Sequence, residues 1–134
     1  MEYEEAVRRL APCGLDCSRC ADKDDGEIRE TCVRLQTLLD GYRRVAKIRE
    51  ASNPALAGYP QFEEILNLLG GAACSGCRGA NCLCPIDCTA AECTKEKGID
   101  FCFQCECFPC VKIADPRIRD RWLSNNLRMK EIGA

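Results

Sequence analysis

Cysteine is the residue type whose number and spacing in this chain could support chemistry. The sequence contains fourteen cysteines and no histidine, and ten of the cysteines lie between Cys74 and Cys110. Thiols at this density either form disulfides or bind metal. The first residues, MEYEEAVRRL, are acidic and amphipathic rather than typical of a secretory signal, so we place the protein in the cytoplasm and expect metal. A secreted disulfide protein is the alternative.

Four short motifs place cysteines at the spacing that metal ligands use. They are Cys13-x3-Cys17-x2-Cys20, Cys74-x2-Cys77, Cys102-x2-Cys105 and Cys107-x2-Cys110. Two residues between ligands let a tight turn direct both sulfurs at one ion, in zinc sites and in iron–sulfur sites alike. Three such pairs and a triplet in one chain therefore predict bound metal.

The identity of the metal is left open between two thiolate-bound types. The lack of histidine excludes mixed Cys/His zinc fingers and three-histidine catalytic zinc. The triplet at Cys13 has the spacing that holds a [4Fe–4S] cluster in radical-SAM enzymes, although their barrel is far longer than this chain. Zn²⁺ is the alternative, because the pairs at Cys74 and Cys102 together would resemble a zinc ribbon. Phe101, Phe103 and Phe108 interleave with the last cysteines and would either shield a cluster from water or form a small core around zinc.

The elements that must position these thiols are predicted to be helical. Periodic patterns predict helices over residues 2–10, 27–50 (split or weakened at Gly41), 61–69 and 90–97, and a last one that starts at Asp115 and Pro116 and ends at Gly133. We therefore predict a mainly α fold with little or no β, in which helices clamp an irregular, metal-bound cysteine segment. The chain is expected to form one domain over residues 1–134, with a helical scaffold (1–72 and 115–133) and a cysteine-rich core (73–114 plus 13–20).

Apolar residues at three- and four-residue steps define the inward faces of these helices. Between residues 27 and 50 the stripe runs from Ile28 to Ile48 and includes Cys32, which we interpret as a small core residue. The later stripes comprise Phe62, Ile65, Leu66 and Leu69, and then Ile118, Trp122, Leu123, Leu127 and Met129. The polar set Ser124, Asn125 and Asn126 is interpreted as the solvated face of the last helix, and the alternative is that it meets a partner or lines a site.

Composition limits the classes of partner. The net charge is −2, and the apolar fraction of 46% falls to about a third without the cysteines, so metal–ligand bonds are expected to supply missing stability. No apolar run approaches the ~20 residues that span a membrane. The basic helices at Arg43–Arg49 and Arg117–Lys130 are interpreted as solvated faces, so nucleic acid is disfavoured as a partner.

Several of these segments together resemble one known family, domain of unknown function 3795. They are CGLDCSRC from Cys13, GYPQFEEILNLL from Gly58, Cys88-x4-Cys93 with KEKGIDFCFQC and FPC, and RWLSNNLRMKEIG from Arg121. The resemblance implies metal binding but no established reaction. Its cysteines fall on Cys13, Cys17, Cys20, Cys74, Cys77, Cys88, Cys93, Cys102, Cys105 and Cys110.

Three cysteines, Cys82, Cys84 and Cys107, depart from the family pattern. Cys82 and Cys84 raise the ligand set from ten to twelve, a multiple of four, and we include both. We leave out Cys107, because Cys105-x-Cys107 is too close for both sulfurs to chelate beside Cys102 and Cys110.

The sequence thus favours an iron–sulfur protein that carries electrons or assists a redox partner protein. The alternative is a structural zinc module that acts as a protein- or nucleic-acid-interaction adaptor. A dithiol oxidoreductase is disfavoured, since C-x2-C catalysts lie at the head of a helix in a βαβ unit and no such pattern is present. Without histidine, a Ser/His/Asp set or a phosphate loop, hydrolytic catalysis is also disfavoured, and so is an enzymatic role in general.

Overall fold

The described part of the chain is built from helices. The structure, a computed structural model, describes residues 2–86 and 88–133. Within those residues there are six α-helices and no β-strand: α1 (Tyr3–Arg9), α2 (Glu27–Leu38), α3 (Tyr42–Arg49), α4 (Tyr59–Gly70), α5 (Ala90–Lys97) and α6 (Arg119–Ile132). The prediction of a mainly α fold is confirmed. In the same residues, each of these helices is too short or too polar to cross a bilayer.

The helices fall into two compact units. One, which we call the cysteine unit, comprises Met1–Ser18 and Cys74–Ala134, and the other, the helical unit, comprises Arg19–Ala73. The cysteine unit contains α1, α5 and α6, and the helical unit contains α2, α3 and α4. Organisation of the whole chain as a single domain stays a prediction.

Two small groups of buried residues form the core of the cysteine unit. The larger one contains Ala11, Cys13, Ala90, Ile113, Ile118 and Trp122, and several half-buried cysteines pack against it. The smaller one contains Ala6, Phe101 and Met129. Since few large side chains are buried, the thiols themselves make up much of the interior of this unit.

The three phenylalanines that interleave with the last cysteines, Phe101, Phe103 and Phe108, do not share one environment. Phe108 packs with the thiols, and its ring centroid lies 5.3 Å from that of Trp122. Phe101 is fully buried and stacks on Phe103 in the other core group, beside Met129. Of the three rings, Phe108 alone packs in the core group that contains the cysteines, and a role in shielding a metal site stays a prediction.

In the helical unit, α2 packs against α4. Gln36 on α2 donates to the Asn67 side chain over 2.8 Å, and its amide group occupies the space beside Gly70. Gly41 separates α2 from α3 with a left-handed φ of 78°, which explains why the 27–50 pattern forms two helices.

Several side chains expected to face inward are exposed instead. Ile48 and Ile65 are 78% and 57% exposed, and Phe62 and Leu127 are also exposed, whereas Leu66 is buried as expected. A unit of 55 residues, Arg19 to Ala73, has too little interior to cover every residue of an apolar stripe. Helix α6 begins at Arg119 rather than at Pro116, because residues 115–118 form a turn that leads into it.

Candidate metal centre

Through one buried amide, helix α6 contacts two cysteine-bearing loops of the cysteine unit, at Cys13 and at Phe103. Asn126 has no exposed surface. Its Nδ2 donates to the Cys13 carbonyl over 3.0 Å, and its Oδ1 accepts the Phe103 backbone N–H over 2.9 Å. The interpretation of Asn126 as part of a solvated face was wrong, because sequence periodicity does not reveal that two loops bring their backbone groups to this position.

The loop that follows Cys13 passes very close to α6. Gly14 has a φ of +85°, and a Cβ added there would come within 2.9 Å of the Asn125 Cβ. The Gly14 carbonyl also accepts a hydrogen bond from Asn125 over 3.0 Å. Glycine therefore fits this position both for its backbone conformation and for the close approach.

Five cysteines line part of a small cavity beside α5 and α6. The cavity has a volume of about 100 Å³. Lys97, Lys112, Phe108 and Trp122 also line it. The five cysteines are Cys93, Cys102, Cys105, Cys107 and Cys110. We call this group the cavity cluster. Arg119 at the start of α6 holds one edge of it by donating to the Cys110 carbonyl over 3.1 Å.

Trp122 brings an unsatisfied polar group to the cavity cluster. The side chain is 1% exposed, and its Nε1 completes no hydrogen bond of standard geometry to any described residue. Burial raises the pKa of the neighbouring Cys102 thiol, and the indole N–H opposes that rise. A buried donor that meets a neighbouring thiol only in non-standard geometry is incompletely satisfied, which costs up to about 1–3 kcal/mol. An acceptor in the cavity would remove this cost.

Two lysines stand beside thiols of the cavity cluster. Lys97 Nζ lies 2.8 Å from Cys105 Sγ, and Lys112 Nζ lies 3.7 Å from Cys93 Sγ. Hydrogen bonding to Lys97, supported by the Cys107 backbone N–H, lowers the pKa of the Cys105 thiol. Cys105 is therefore predisposed to the thiolate form, which is the form that binds metal.

Cys107 lines the cavity and also directs its backbone N–H at a neighbouring sulfur. Its backbone N–H lies 3.4 Å from Cys105 Sγ, while its own side chain is exposed. The choice of Cys105, rather than Cys107, as a ligand stays a prediction.

A second group of thiols surrounds Cys77. Cys82 Sγ lies 3.8 Å from Cys77 Sγ, and the Cys17 thiol is also within hydrogen-bonding reach of Cys77. The contact with Cys17, then burial and then Cys82, raises the pKa of the Cys77 thiol. We call Cys17, Cys74, Cys77 and Cys82 the Cys77 cluster.

Cys74 belongs to this cluster through the C-x2-C turn. It is buried, and its sulfur receives two backbone N–H groups, from Gly76 over 3.4 Å and from Leu83 over 3.2 Å. Gly76 adopts a φ of 86°, which only glycine tolerates readily, and this turns its N–H towards the sulfur. A thiol is a weak acceptor and a thiolate a strong one, so two converging donors favour a charged or metal-bound sulfur.

Cys13 and Cys88 lie in the same core as both clusters. Burial raises the pKa of the Cys13 thiol to about 11, and the nearby thiols of Cys88, Cys17 and Cys102 add to the rise. Three sequence-predicted ligands, Cys20, Cys82 and Cys84, are exposed. Cys82 belongs to the Cys77 cluster, and Cys20 belongs to the helical unit.

The cysteines are near one another without converging on a point. None of the fourteen, all of which lie in the described part of the chain, forms a disulfide. Across residues 2–86 and 88–133, no three Cys, Asp or Glu side chains are arranged as the ligands of an ion. The sequence prediction of twelve ligands thus stays a prediction, with eight of them in the two clusters.

Some features of the site were beyond the sequence interpretation. Lys97 and Lys112 contact cysteine sulfurs, and Arg119 donates to a cysteine carbonyl. These contacts form through folding and have no signal in the spacing of the cysteines. Trp122 was expected to be buried, but its unsatisfied N–H at the thiol cavity has no sequence signal.

Comparison with known proteins supports the resemblance and adds no activity. No curated protein and no solved structure matches this chain. The model of one family, described as protein of unknown function (DUF3795), matches residues 9–115, which include every cysteine of both clusters. The chain therefore belongs to the DUF3795 family.

Proposed function

We propose that this protein is an iron–sulfur protein whose cavity cluster binds a [4Fe–4S] cluster through Cys93, Cys102, Cys105 and Cys110. The observation that carries the proposal is the cavity of about 100 Å³ that five cysteines line in part, with a buried indole N–H that completes no hydrogen bond of standard geometry to the described residues. Four thiolates around one zinc close at bond lengths of about 2.3 Å and leave no such space, whereas a cluster of eight atoms requires it.

The surroundings of the cavity fit the charge of a thiolate-bound cluster. Lys97 and Lys112 place two ammonium groups beside Cys105 and Cys93. Sulfur atoms of a cluster accept hydrogen bonds, which the Trp122 N–H can supply. When bound, the cluster would accept and release one electron, and the residues around it would set its potential. We therefore propose an electron-transfer or redox-accessory role with a protein partner.

The experiment is purification without oxygen, followed by measurement of iron and acid-labile sulfide. Cys105→Ser should lose most of both, because a serine hydroxyl, with its much higher pKa, is a far poorer iron ligand than the cysteine thiolate. Cys32→Ala is the matched control, since Cys32 lies on α2 in the helical unit, and it should keep the full content. Unchanged iron in Cys105→Ser, or an equal loss in Cys32→Ala, would contradict the ligand assignment.

A second function, structural zinc binding, is favoured at the Cys77 cluster by one distance. Four sulfurs at about 2.3 Å from a tetrahedral zinc lie about 3.8 Å apart. The Cys77 and Cys82 sulfurs are already separated by 3.8 Å, and Cys74 adds the other half of a C-x2-C pair. We propose that Cys17, Cys74, Cys77 and Cys82 hold a single Zn²⁺, which stabilises residues 74–82 against the segment around Cys17.

Zinc analysis of two variants tests this second proposal. Cys77→Ser should lose zinc, because it removes the central thiolate of the cluster. Cys20→Ser should keep zinc, since this exposed thiol is not part of the cluster. Full zinc content in Cys77→Ser would exclude the proposed site, and so would protein that carries no zinc at all.

A further inference from the structure

The helical unit contains a cavity that the metal chemistry does not involve. It has a volume of about 570 Å³ and lies between α3 and the turn that leads into α4. Pockets that bind small molecules typically measure about 300–1,000 Å³ and combine an apolar lining with a few polar groups. This cavity is of that size.

The lining of this cavity has an apolar part. It includes Ala46, which is 1% exposed, and Tyr59, which is 7% exposed, beside Leu56, Ala57 and Pro60. The Tyr59 ring is fixed by an edge-on contact with Tyr42, with centroids 5.4 Å apart. Aromatic and aliphatic surface of this kind favours a ligand with an apolar body.

The charged part of the lining is mostly positive. Arg43, Arg44 and Lys47 line the cavity, and Glu50 is its one carboxylate residue. Arg43 is paired with Glu63 over 2.7 Å, and Lys47 lies 3.4 Å from Glu50. Among the described residues, Arg44 has no carboxylate within 4 Å. One guanidinium at the cavity is thus available to a ligand.

We propose that this cavity binds a small organic anion, with an apolar body against Tyr59 and a phosphate or carboxylate at Arg44. Guanidinium groups bind both anions through paired N–H donors. Treating Arg43, Arg44 and Lys47 as a solvated helix face accounts for their charge but not for the cavity beneath them. The proposal does not depend on the metal sites.

The test is an NMR titration of ¹⁵N-labelled full-length protein, isolated with its native metal, with 1-naphthyl phosphate. The amide signals of residues 41–60 should shift and saturate, while those of α6 should not. 1-Naphthol, which lacks the anion, and inorganic phosphate, which lacks the apolar body, should each bind at least about ten-fold more weakly, since each keeps only part of the interaction.

Two charge-reversal variants locate the anion. Arg44→Glu should weaken binding about ten-fold or more, because it removes a charge-assisted hydrogen bond and adds a repulsive charge. Arg34→Glu changes the same charge at an exposed position of α2 outside the cavity, and should leave affinity within about two-fold.

Four results would overturn the proposal. They are the absence of saturable shifts in residues 41–60, equal weakening by both variants, equal affinity for inorganic phosphate, and far tighter binding of an oligothymidylate with the same dependence on Arg44. The last would assign the surface to single-stranded nucleic acid instead. Unchanged amide spectra of the free variants confirm that they are folded.

Discussion

The individual thiols of the cysteine unit differ in how readily they lose a proton. Hydrogen bonding to Lys97 lowers the pKa of Cys105, while contact with Cys17 and burial raise that of Cys77. Metal binds the deprotonated form, so the second type of thiol must release its proton on binding. The protonation state of each residue therefore determines how its site responds to pH.

Zinc binding at the Cys77 cluster should release protons and weaken as the pH falls. A raised pKa keeps the Cys77 thiol neutral at pH 7, and lowering the pH further favours the proton over the metal. Because the Cys77 thiol must lose its proton to bind, we expect at least about one proton to be released per zinc at pH 7.

Calorimetry of zinc binding in buffers with different ionisation enthalpies measures this release. The Cys77→Ser variant serves as the control and should show neither the binding nor the protons. Proton release close to zero would indicate carboxylate ligands and would refute the thiolate site.

Replacing Trp122 with phenylalanine should lower the reduction potential of the bound cluster. The change keeps an aromatic ring in the core and removes the buried N–H. A hydrogen bond to a cluster sulfur stabilises the more negative, reduced state, and the loss of about 1 kcal/mol corresponds to about 40 mV for one electron.

Redox titration of the anaerobic protein measures the change in potential. Phe108→Leu is the control, since it alters the packing against Trp122 without removing the N–H. If Trp122→Phe retains its cluster at an unchanged potential, the indole does not donate to it.

At the scale of elements, α6 is the support on which the cysteine loops are assembled. Asn126 connects it to the Cys13 carbonyl and the Phe103 N–H, and Arg119 connects it to the Cys110 carbonyl. Every one of these contacts is made to a backbone group next to or at a cysteine. The helix therefore fixes the backbone of these loops through hydrogen bonds that do not involve the thiols.

Asn126→Ala should destabilise the cysteine unit by about 3 kcal/mol, because it leaves buried backbone groups of two loops without partners. The free energy of unfolding from urea denaturation of metal-loaded protein measures the loss. Ser124→Ala, at an exposed position two residues away, should change stability by less than about 0.5 kcal/mol. Equal stability of the two variants would contradict the claim that Asn126 stabilises the two loops on α6.

The sequence predicted where the helices lie better than it predicted which of their side chains are buried. Helix α5 occupies the predicted residues 90–97, and Gly41 and Gly133 end or separate helices as expected, because backbone conformation at glycine is a local property. The exposure of Ile48 and the burial of Asn126 depend on which elements pack against them, which periodicity does not reveal.

The cysteines show the same limit at the site. Their spacing predicted paired ligands, and the Cys74 turn with its N–H groups directed at sulfur fits that prediction. Their grouping did not follow from spacing, because Cys17 meets Cys77 across almost half the sequence. Only tertiary folding determines which pairs share a centre.

At the scale of the whole molecule, the two units should depend on metal to different degrees. Six buried residues and the surrounding thiols make up the larger core of the cysteine unit. The helical unit instead has α2 packed on α4, with a side-chain hydrogen bond between them. Metal binding supplies folding free energy where ligands replace a hydrophobic core.

Metal removal should therefore unfold the cysteine unit selectively. After chelation under reducing conditions, amides of α5 and α6 should lose protection from hydrogen exchange, while those of α2 and α4 retain most of theirs. Hydrogen-exchange mass spectrometry resolves both units in one sample. Undiminished protection in α6 would show that the thiols do not depend on metal for their arrangement.

The central claim is that cysteine thiolates in this protein bind the iron atoms of an iron–sulfur cluster. Its most direct test is the iron and acid-labile sulfide content of the wild-type protein isolated without oxygen. We predict a brown protein with about four iron and four sulfide per chain. A colourless protein that contains neither, with or without zinc, would contradict the claim.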